Sequence, residues 1–385
     1  MKLLHLADLH LGRSLGEFDL IEDQRYILQQ ILEIIQRESV DAVLIAGDVY
    51  DKSIPSEAAV NLLDSFLYQL ARQKTAVYMI SGNHDSDDRL NFGSSLFRSS
   101  RIFICAAYRG TLSRYTQEDE YGAVNSYLLP GVKASYVKHF FPEEPIRSYE
   151  DAVNVIIKHA GIDPDGRNVI AAHQFVAGKE ESPRLGGSEG MSAQNVGLVE
   201  RIGYDCFDPF DYAALGHIHS PQQVGRKQVR YSGSPLKYSL SEVNNAKSVP
   251  LNTLKEKGQV QVEQIPLKPM RDLRHLKGRM EQLLDKSAVT DPEDFIYATL
   301  TDEEVINDAM GIFQQIYPNT VRIDYDNSHT RELEKPDLSG MGEERSFPEL
   351  IRDFYQLMYG CGISEEEMKI MKEAAQEAGV TDETD

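Results

Sequence analysis

The chain has 385 residues, 41% of them hydrophobic and 26% charged, and its 40 basic side chains face 61 acidic ones for a net charge of −21. These values suit a soluble globular protein with a large core and one or two smaller units. Taken alone they disfavour a free-standing nucleic-acid binder, which relies on a basic surface.

Cys105, Cys206 and Cys361 stand far apart with no CxxC pair. That argues against a disulfide framework and a zinc–thiolate site, and it suits a reducing cytoplasm. The opening MKLLHLADLHLG puts an acid, Asp8, inside what would be the apolar stretch of a leader, and no apolar run nears the length that crosses a bilayer. The chain is expected to be neither secreted nor membrane-embedded. Its acid is uneven: residues 331–385 hold 15 acidic against 6 basic side chains, so 9 of the 21 excess negative charges lie there. A carboxylate-lined cleft that takes up divalent cations also reverses its local sign. Whole-chain charge therefore does not decide the substrate.

A strand at about 2–7 precedes a helix at about 20–38, where Ile27, Ile31, Ile34 and Ile35 share a face. A strand at about 41–46 leads to a helix at about 57–72 with Leu62, Leu63, Phe66, Leu67 and Leu70, and a strand at about 75–80 enters Gly82-Asn83-His84-Asp85. This βαβαβ order predicts parallel strands with right-handed crossovers. Later strands, at about 124–129, 132–137, 168–172, 211–216, 228–233, 248–254 and 259–265, come with fewer helices. A second, mixed sheet follows, and the fold class is α/β: a two-sheet sandwich flanked by helices.

Ile265-Pro266-Leu267-Lys268-Pro269 reads as a boundary. Beyond it a helix at about 271–286, a strand at Phe295–Leu300, a helix from Thr301 (with Glu304 at capping-box spacing) and a strand at Val321–Tyr325 form a small α/β unit. The polar stretch at about 328–345, with Pro336, Gly340 and Gly342, reads as a linker. Ser346 with Glu349 and Ser364 with Glu367 are further capping boxes that open two short helices. Such helices bury little by themselves, so they fold back on the chain or dock on a partner. The expected division is 1–266, 267–330, a linker at 331–345, and a helix-loop-helix at 346–385.

Five apolar runs, at 3–10, 42–48, 77–85, 169–174 and 212–219, each end in Asp, Asn or His. A buried strand ending so opens into the cleft where open α/β sheets bind ligands. The candidate metal ligands are Asp8, His10, Asp48, Asn83, His173, His217 and His219. Carboxylate, amide and imidazole suit Mn²⁺, Fe²⁺ or Zn²⁺ better than a metal selected by thiols. Seven ligands exceed what one ion takes and suit two, with a carboxylate such as Asp48 bridging them. A pair of ions supports in-line attack on a phosphoester by an activated water, and His84 beside Asn83 is placed to neutralise the developing charge or protonate the leaving oxygen. Gly12, Gly47, Gly82 and Gly216 flank these residues and are expected to supply unusual backbone angles. His5, His139, His159, His275 and His329 lack such context and read as structural or solvent-facing.

Taken in order, D-x-H, GD, GNHD, a lone His and GHxH resemble the calcineurin-like metallophosphoesterase superfamily. The strings DLHLG (8–12), GDVYD (47–51), GNHDS (82–86), GHIHSPQ (216–222) and YSGSPLKYSLSE (231–242) narrow the resemblance to the SbcD family, the nuclease subunits of bacterial SbcC–SbcD complexes. The resemblance implies that Asp8, His10, Asp48 and His219 hold one Mn²⁺, that Asp48, Asn83, His173 and His217 hold another, and that catalytic His84 acts on the phosphate. It also implies a capping domain at about 268–330 that shapes a DNA groove. Terminal helices would bind the coiled coil of the SbcC ATPase in a heterotetramer, and a homodimer would form through the helices at about 57–72 and 88–98. The activity implied is 3′–5′ exonuclease on duplex ends and endonuclease on single strands and hairpins, in DNA repair, recombination and replication, in a cytoplasmic, nucleoid-associated protein. Many archaeal and eukaryotic relatives carry a histidine where this chain has Asp51, so a supporting role is expected there. The alternative is another enzyme of the superfamily, a phosphomonoesterase or cyclic-nucleotide phosphodiesterase. Protein phosphatases read GDxxDRG and GNHE, unlike GDVYDKS and GNHD here.

Overall fold

The computed structural model describes residues 1–178, 182–185, 201–328, 351–352, 363–364 and 367–372. The chain opens with β1 (Lys2–Leu6), α1 (Ile21–Glu38), β2 (Ala42–Ala46), α2 (Glu57–Arg72), β3 (Ala76–Ile80) and β4 (Ile102–Cys105). In α1 the stripe Ile27, Ile31, Ile34 and Ile35 is buried, as spacing on one helical face requires. The Ser56 side chain caps α2 by accepting from the Ala59 N–H. The chain continues through β5 (Ser113–Asp119), β6 (Gly122–Leu129), α3 (Ala134–Phe140), α4 (Tyr149–His159), β7 (Arg167–His173), β8 (Tyr212–Gly216), β9 (Gln222–Val224) and β10 (Arg226–Tyr231). It then returns to the first sheet with β11 (Ser248–Leu254) and β12 (Val260–Pro266).

Two six-stranded sheets result, in the orders β12-β11-β1-β2-β3-β4 and β9-β10-β8-β7-β6-β5. Strands β1 to β4 are parallel, and β11 and β12 join antiparallel. In the second sheet β6, β7, β8 and β10 are parallel, with β5 and β9 antiparallel at the edges. Strands β2 and β3 are buried along their whole length, as sheets covered on both faces require. One apolar cluster joins α1 and α2 to the first sheet, and another packs α3 and α4 on the second. Between the sheets Leu44, Tyr78 and Ile80 of the first meet Leu128, Val169 and Tyr212 of the second. The architecture is the helix-flanked two-sheet α/β sandwich.

Past Pro266 lie β13 (Leu273–Gly278), β14 (Phe295–Leu300), α5 (Ala309–Gln314) and β15 (Thr320–Tyr325), the three strands forming one sheet. Three sequence expectations are corrected. The strand at 132–137 is the helix α3, because Ala134, Val137 and Phe140 are spaced by three and pack on the second core. The helix at 271–286 is the strand β13 followed by a short helix at Met280–Leu283; His275 and Lys277 are exposed while Arg274, Leu276 and Gly278 beside them are half-buried, an alternation of strand period. The helix from Thr301 starts at Ala309 instead, where the Asp308 side chain accepts from the Gly311 N–H.

The described residues group into two compact units. The first is Met1–Leu276, Leu283–Ala298 and Asp308–Ile323; the second is Lys277–Gln282, Thr299–Asn307 and the described part of Asp324–Asp385. In the second, Ser364 and Glu367 make the reciprocal bonds of a capping box. The linker at 331–345, the Ser346 box and most of both terminal helices lie outside the described residues. Among the described residues no helix is long and apolar enough to cross a membrane.

Candidate metal centre

The carboxyl ends of strands from both sheets deliver the site. Asp8 and His10 follow β1, Asp48 follows β2, Asn83 and His84 follow β3, His173 ends β7, and His217 and His219 follow β8. The chain must turn at once after each strand to aim these side chains inward. Asp8, His10, Asp48 and His217 accordingly take the left-handed backbone region, with φ of 52°, 42°, 48° and 99°. Four such residues around one point mark a site whose surroundings hold strained backbone in place.

The flanking glycines divide by cause. Gly12 and Gly47 have positive φ, as expected from sequence. At Gly82 and Gly216 the demand is space instead. A Cβ on Gly82 would stand 2.2 Å from Asp48 Oδ1, and one on Gly216 only 1.9 Å from the Ala46 carbonyl oxygen.

All eight predicted residues converge. His10 Nε2 lies 3.1 Å from His219 Nε2 and 3.6 Å from Asp48 Oδ2. His173 Nε2 lies 3.4 Å from Asp48 Oδ2 and 3.0 Å from Asn83 Oδ1, which is 3.1 Å from His217 Nδ1. Asp8 accepts from the His217 N–H and Asp48 from the His84 N–H, each at 2.9 Å. Among the described residues three groups have ligand atoms within 4.8 Å of one another: Asp8, His10 and His219; His10, Asp48 and His84; and Asp8, Asp48 and His173. Asp48, Asp8 and His10 each belong to two of them. His84 also comes within ligand reach, although its sequence context suggests proton transfer.

Without a cation the electrostatics conflict. Burial, opposed by the His219 and His173 imidazoles, raises the Asp8 carboxyl to about 6. Burial would raise Asp48 too, but His173 and His10 hold it well below the usual carboxylate range. Burial would lower His173, yet the Asp48 carboxylate pushes it up to about 9. Burial lowers His217 to about 3 and His10 well below the ordinary imidazole value. Two imidazole nitrogens facing each other at hydrogen-bond distance cannot both carry a proton. Asp8 Oδ2 is buried without a hydrogen-bond partner among the described residues. An unpartnered buried carboxylate oxygen, two imidazole nitrogens facing each other and a donor set of oxygen and nitrogen without sulfur all fit divalent cations.

The surrounding support was less legible in the sequence. The Asp85 carboxylate accepts from the N–H groups of Val49, Tyr50 and Gly82 at 3.1, 2.9 and 2.9 Å, tying the β2 and β3 loops together. His84 Nδ1 is 2.9 Å from the Asp51 carbonyl oxygen, and the Asp51 carboxylate accepts from Arg13 at 2.8 Å. Tyr238 donates to the Leu9 carbonyl at 2.5 Å, and its ring meets those of His10 and His219. Glu242 is buried 3.5 Å from His219 Nδ1. The strings GNHD and YSGSPLKYSLSE carried the signals for Asp85, Tyr238 and Glu242, but spacing alone assigned them no partner. Of the other histidines, His5 is buried against Tyr212, His159 pairs with Glu144, and His275 stacks on Tyr297.

Residues 1–221 match the model of the calcineurin-like phosphoesterase family, and residues 269–359 match that of the type 5 capsule protein repressor C-terminal domain, SbcD_C. The chain is 33% identical over 327 residues to the SbcD component of the nuclease SbcCD of Staphylococcus epidermidis, covering 84% of this chain and 85% of the relative. Among solved structures, a dimetal phosphatase from Danio rerio is 12% identical with a TM-score of 0.38, covering 69% of this chain and 96% of its own. TT1561 of Thermus thermophilus is 11% identical with a TM-score of 0.38, covering 68% of this chain and 98% of its own. The chain belongs to the calcineurin-like phosphoesterase family, in the branch of the SbcD nuclease proteins, and is a metal-dependent phosphoester hydrolase.

Proposed function

We propose that this protein is the Mn²⁺-dependent DNA nuclease subunit of an SbcC–SbcD-type complex, an exonuclease on duplex ends and an endonuclease on single strands and hairpins. The observation that carries this reading is the convergence of eight O- and N-bearing side chains from five strand ends, with Asp48 shared between candidate groups. Asp8, His10, Asp48 and His219 would hold one ion, and Asp48, Asn83, His173 and His217 the other. Bound there, two divalent ions would neutralise phosphate oxygens and make water a nucleophile near neutral pH.

The chain's own residues do the rest. The Asp51 carbonyl holds the proton on His84 Nδ1, which leaves Nε2 as the atom that exchanges a proton with the ester's leaving oxygen. Asp85 fixes the spacing of the loops bearing Asp48 and His84. Asp8, His10, Asp48, His173 and His219 are buried, which strengthens each of their charges, while exposed Asn83 leaves the site open to substrate on one side.

Residues 267–330 would form the cap over the DNA groove, 331–345 a tether, and 346–385 the helices that dock on the coiled coil of SbcC. The staphylococcal relative is by name one component of the SbcCD nuclease, which supports a partner of this kind. Exposed Val60, Tyr68, Phe92 and Leu96 support a homodimer surface on α2 and residues 88–98. Such a protein would work in the cytoplasm on nucleoid DNA.

The test is cleavage of linear duplex, hairpin and circular single-stranded DNA beside a generic phosphate ester, in Mn²⁺ or Mg²⁺, with and without SbcC and ATP. Mn²⁺-stimulated DNA cleavage, extended to duplex ends by SbcC and ATP, is expected. Hydrolysis of the small ester alone would replace the nuclease reading with that of a phosphomonoesterase or cyclic-nucleotide phosphodiesterase.

A further inference from the structure

The string YSGSPLKYSLSE at 231–242 narrows the family but contributes none of the candidate ligands. In the fold it lies directly behind the β1 and β8 loops. Ser232 Oγ donates to the His5 carbonyl at 3.0 Å, and Tyr238 donates to the Leu9 carbonyl. The string ends at Glu242, whose side chain is fully buried. One carboxylate oxygen, Oε1, stands 3.5 Å from His219 Nδ1, on the side of the ring away from His10 and Asp8. The other, Oε2, accepts from Lys247 Nζ at 2.5 Å.

Lys247 is itself buried, and its three donors meet three acceptors: Glu242 Oε2, the Ser234 hydroxyl at 2.8 Å and the His219 carbonyl at 2.9 Å. The pair thus grips His219 at both its ring and its backbone. A buried ion pair is a poor stabiliser, since an apolar pair of equal volume does as well or better. Its position therefore calls for another purpose. A carboxylate behind a metal-binding imidazole holds the proton on the far nitrogen and aims the near lone pair at the ion.

We infer that Glu242, neutralised by Lys247, is a positioning residue that fixes the tautomer and ring angle of His219, so that Nε2 presents its lone pair toward Asp8 and His10. The inference rests on the reading of His219 as a metal ligand. It assigns a purpose to the end of a string that proximity in sequence does not connect to the site. It also makes the first ion, held by Asp8, His10, Asp48 and His219, the one that depends on this pair.

Glu242→Gln keeps an oxygen to accept from Lys247 and turns its N–H₂ toward His219 Nδ1, which favours the opposite tautomer. The double change Glu242→Gln with Lys247→Met leaves no uncompensated buried charge and serves where the single variant fails to fold. Mn²⁺ is titrated into the full-length chain and followed by electron paramagnetic resonance, which separates a spin-coupled pair from an isolated ion. The parent should show the coupled pair near stoichiometric Mn²⁺. The variants, folded by circular dichroism, should show an isolated ion there and recover the pair only at ~10–100-fold more Mn²⁺. A coupled pair in a folded variant at the parent's concentrations would overturn the inference and leave Glu242 a packing residue. A parent that never shows a coupled pair would overturn the two-ion reading itself, and the inference with it.

Discussion

His84 Nδ1 and the Asp51 carbonyl oxygen are 2.9 Å apart, so the backbone of one loop sets the tautomer of a histidine on another. The contact uses the main chain of Asp51, which any residue at that position provides. His84→Gln should lower DNA cleavage by about 100- to 10,000-fold, the range for removing a general acid. Bound Mn²⁺, measured by elemental analysis after dialysis, should stay at the parent value. His84 also lies within ligand reach of His10 and Asp48, so loss of an ion in this variant would reassign it from proton transfer to coordination.

Asp85 joins the loops after β2 and β3 through three backbone N–H groups. Asp85→Ala leaves all three without their acceptor. Charge-assisted bonds contribute about 1.5–3 kcal/mol each, but water will reach part of the vacated space, so a loss of about 2–4 kcal/mol is expected by denaturant titration. Mn²⁺ affinity should fall as well, because Asp48 and Asn83 sit on the two loops that would separate. Unchanged affinity in a folded variant would show that the loops hold their places without the clamp.

The outcome at Asp85 bears on what the sequence discloses. The five strand ends were legible because an apolar run and a polar terminus are local features, and β2, β3, β7 and β8 lie where those runs predicted. Position within GNHD marks Asp85, yet its partners Val49 and Tyr50 are more than thirty residues away, and no spacing rule reaches that far. Glu242 and His219 meet by the same kind of tertiary contact. Local rules also misread β13, because Leu273 and Leu276, three apart, share a helical face but fall on opposite faces of a strand, and only the pairing with β14 decides.

Gly216 offers a sharper packing test. Its missing Cβ would stand 1.9 Å from the Ala46 carbonyl, a backbone atom of the opposite sheet that cannot swing aside. Gly216→Ala must separate β8 from β2, and a loss of about 4 kcal/mol or more is expected, the size reserved for core disruption. Gly122 is the control. Its φ is +100° but nothing lies within 4 Å of a Cβ there, so Gly122→Ala should cost only the left-handed backbone penalty of about 1–2 kcal/mol. Equal urea midpoints for the two variants would contradict the close approach of the sheets.

Removing residues 346–385 tests the docking proposal. These residues lie largely outside those the structure describes, whereas every candidate ligand belongs to the first compact unit. The truncated chain should keep Mn²⁺-dependent cleavage of single-stranded DNA and fail to co-purify with SbcC. Co-purification at the parent's level would place the SbcC contact elsewhere.

His5 supplies a pH dependence that is separate from the metal ligands. It is buried with Nδ1 2.9 Å from the Tyr212 hydroxyl, and desolvation, helped by the nearby Arg230 charge, lowers its pKa from 6.5 to about 3. The sign follows from linkage. Above pH 6.5 the ring is neutral in both folded and unfolded chains and contributes no slope. Between 6.5 and about 3 the unfolded chain takes up a proton that the folded chain refuses, so stability falls as the pH falls. The slope from this one group approaches about 1.4 kcal/mol per pH unit in the middle of that window. His5→Gln removes the titration while its amide can still pair with Tyr212. Between pH 4.5 and 6 the variant should lose less stability per unit than the parent, read as the difference in urea midpoints, and the two curves should run parallel above about pH 7. Parallel curves throughout would mean that His5 accepts its proton inside the folded chain, and that the interior between β1 and β8 admits a charge.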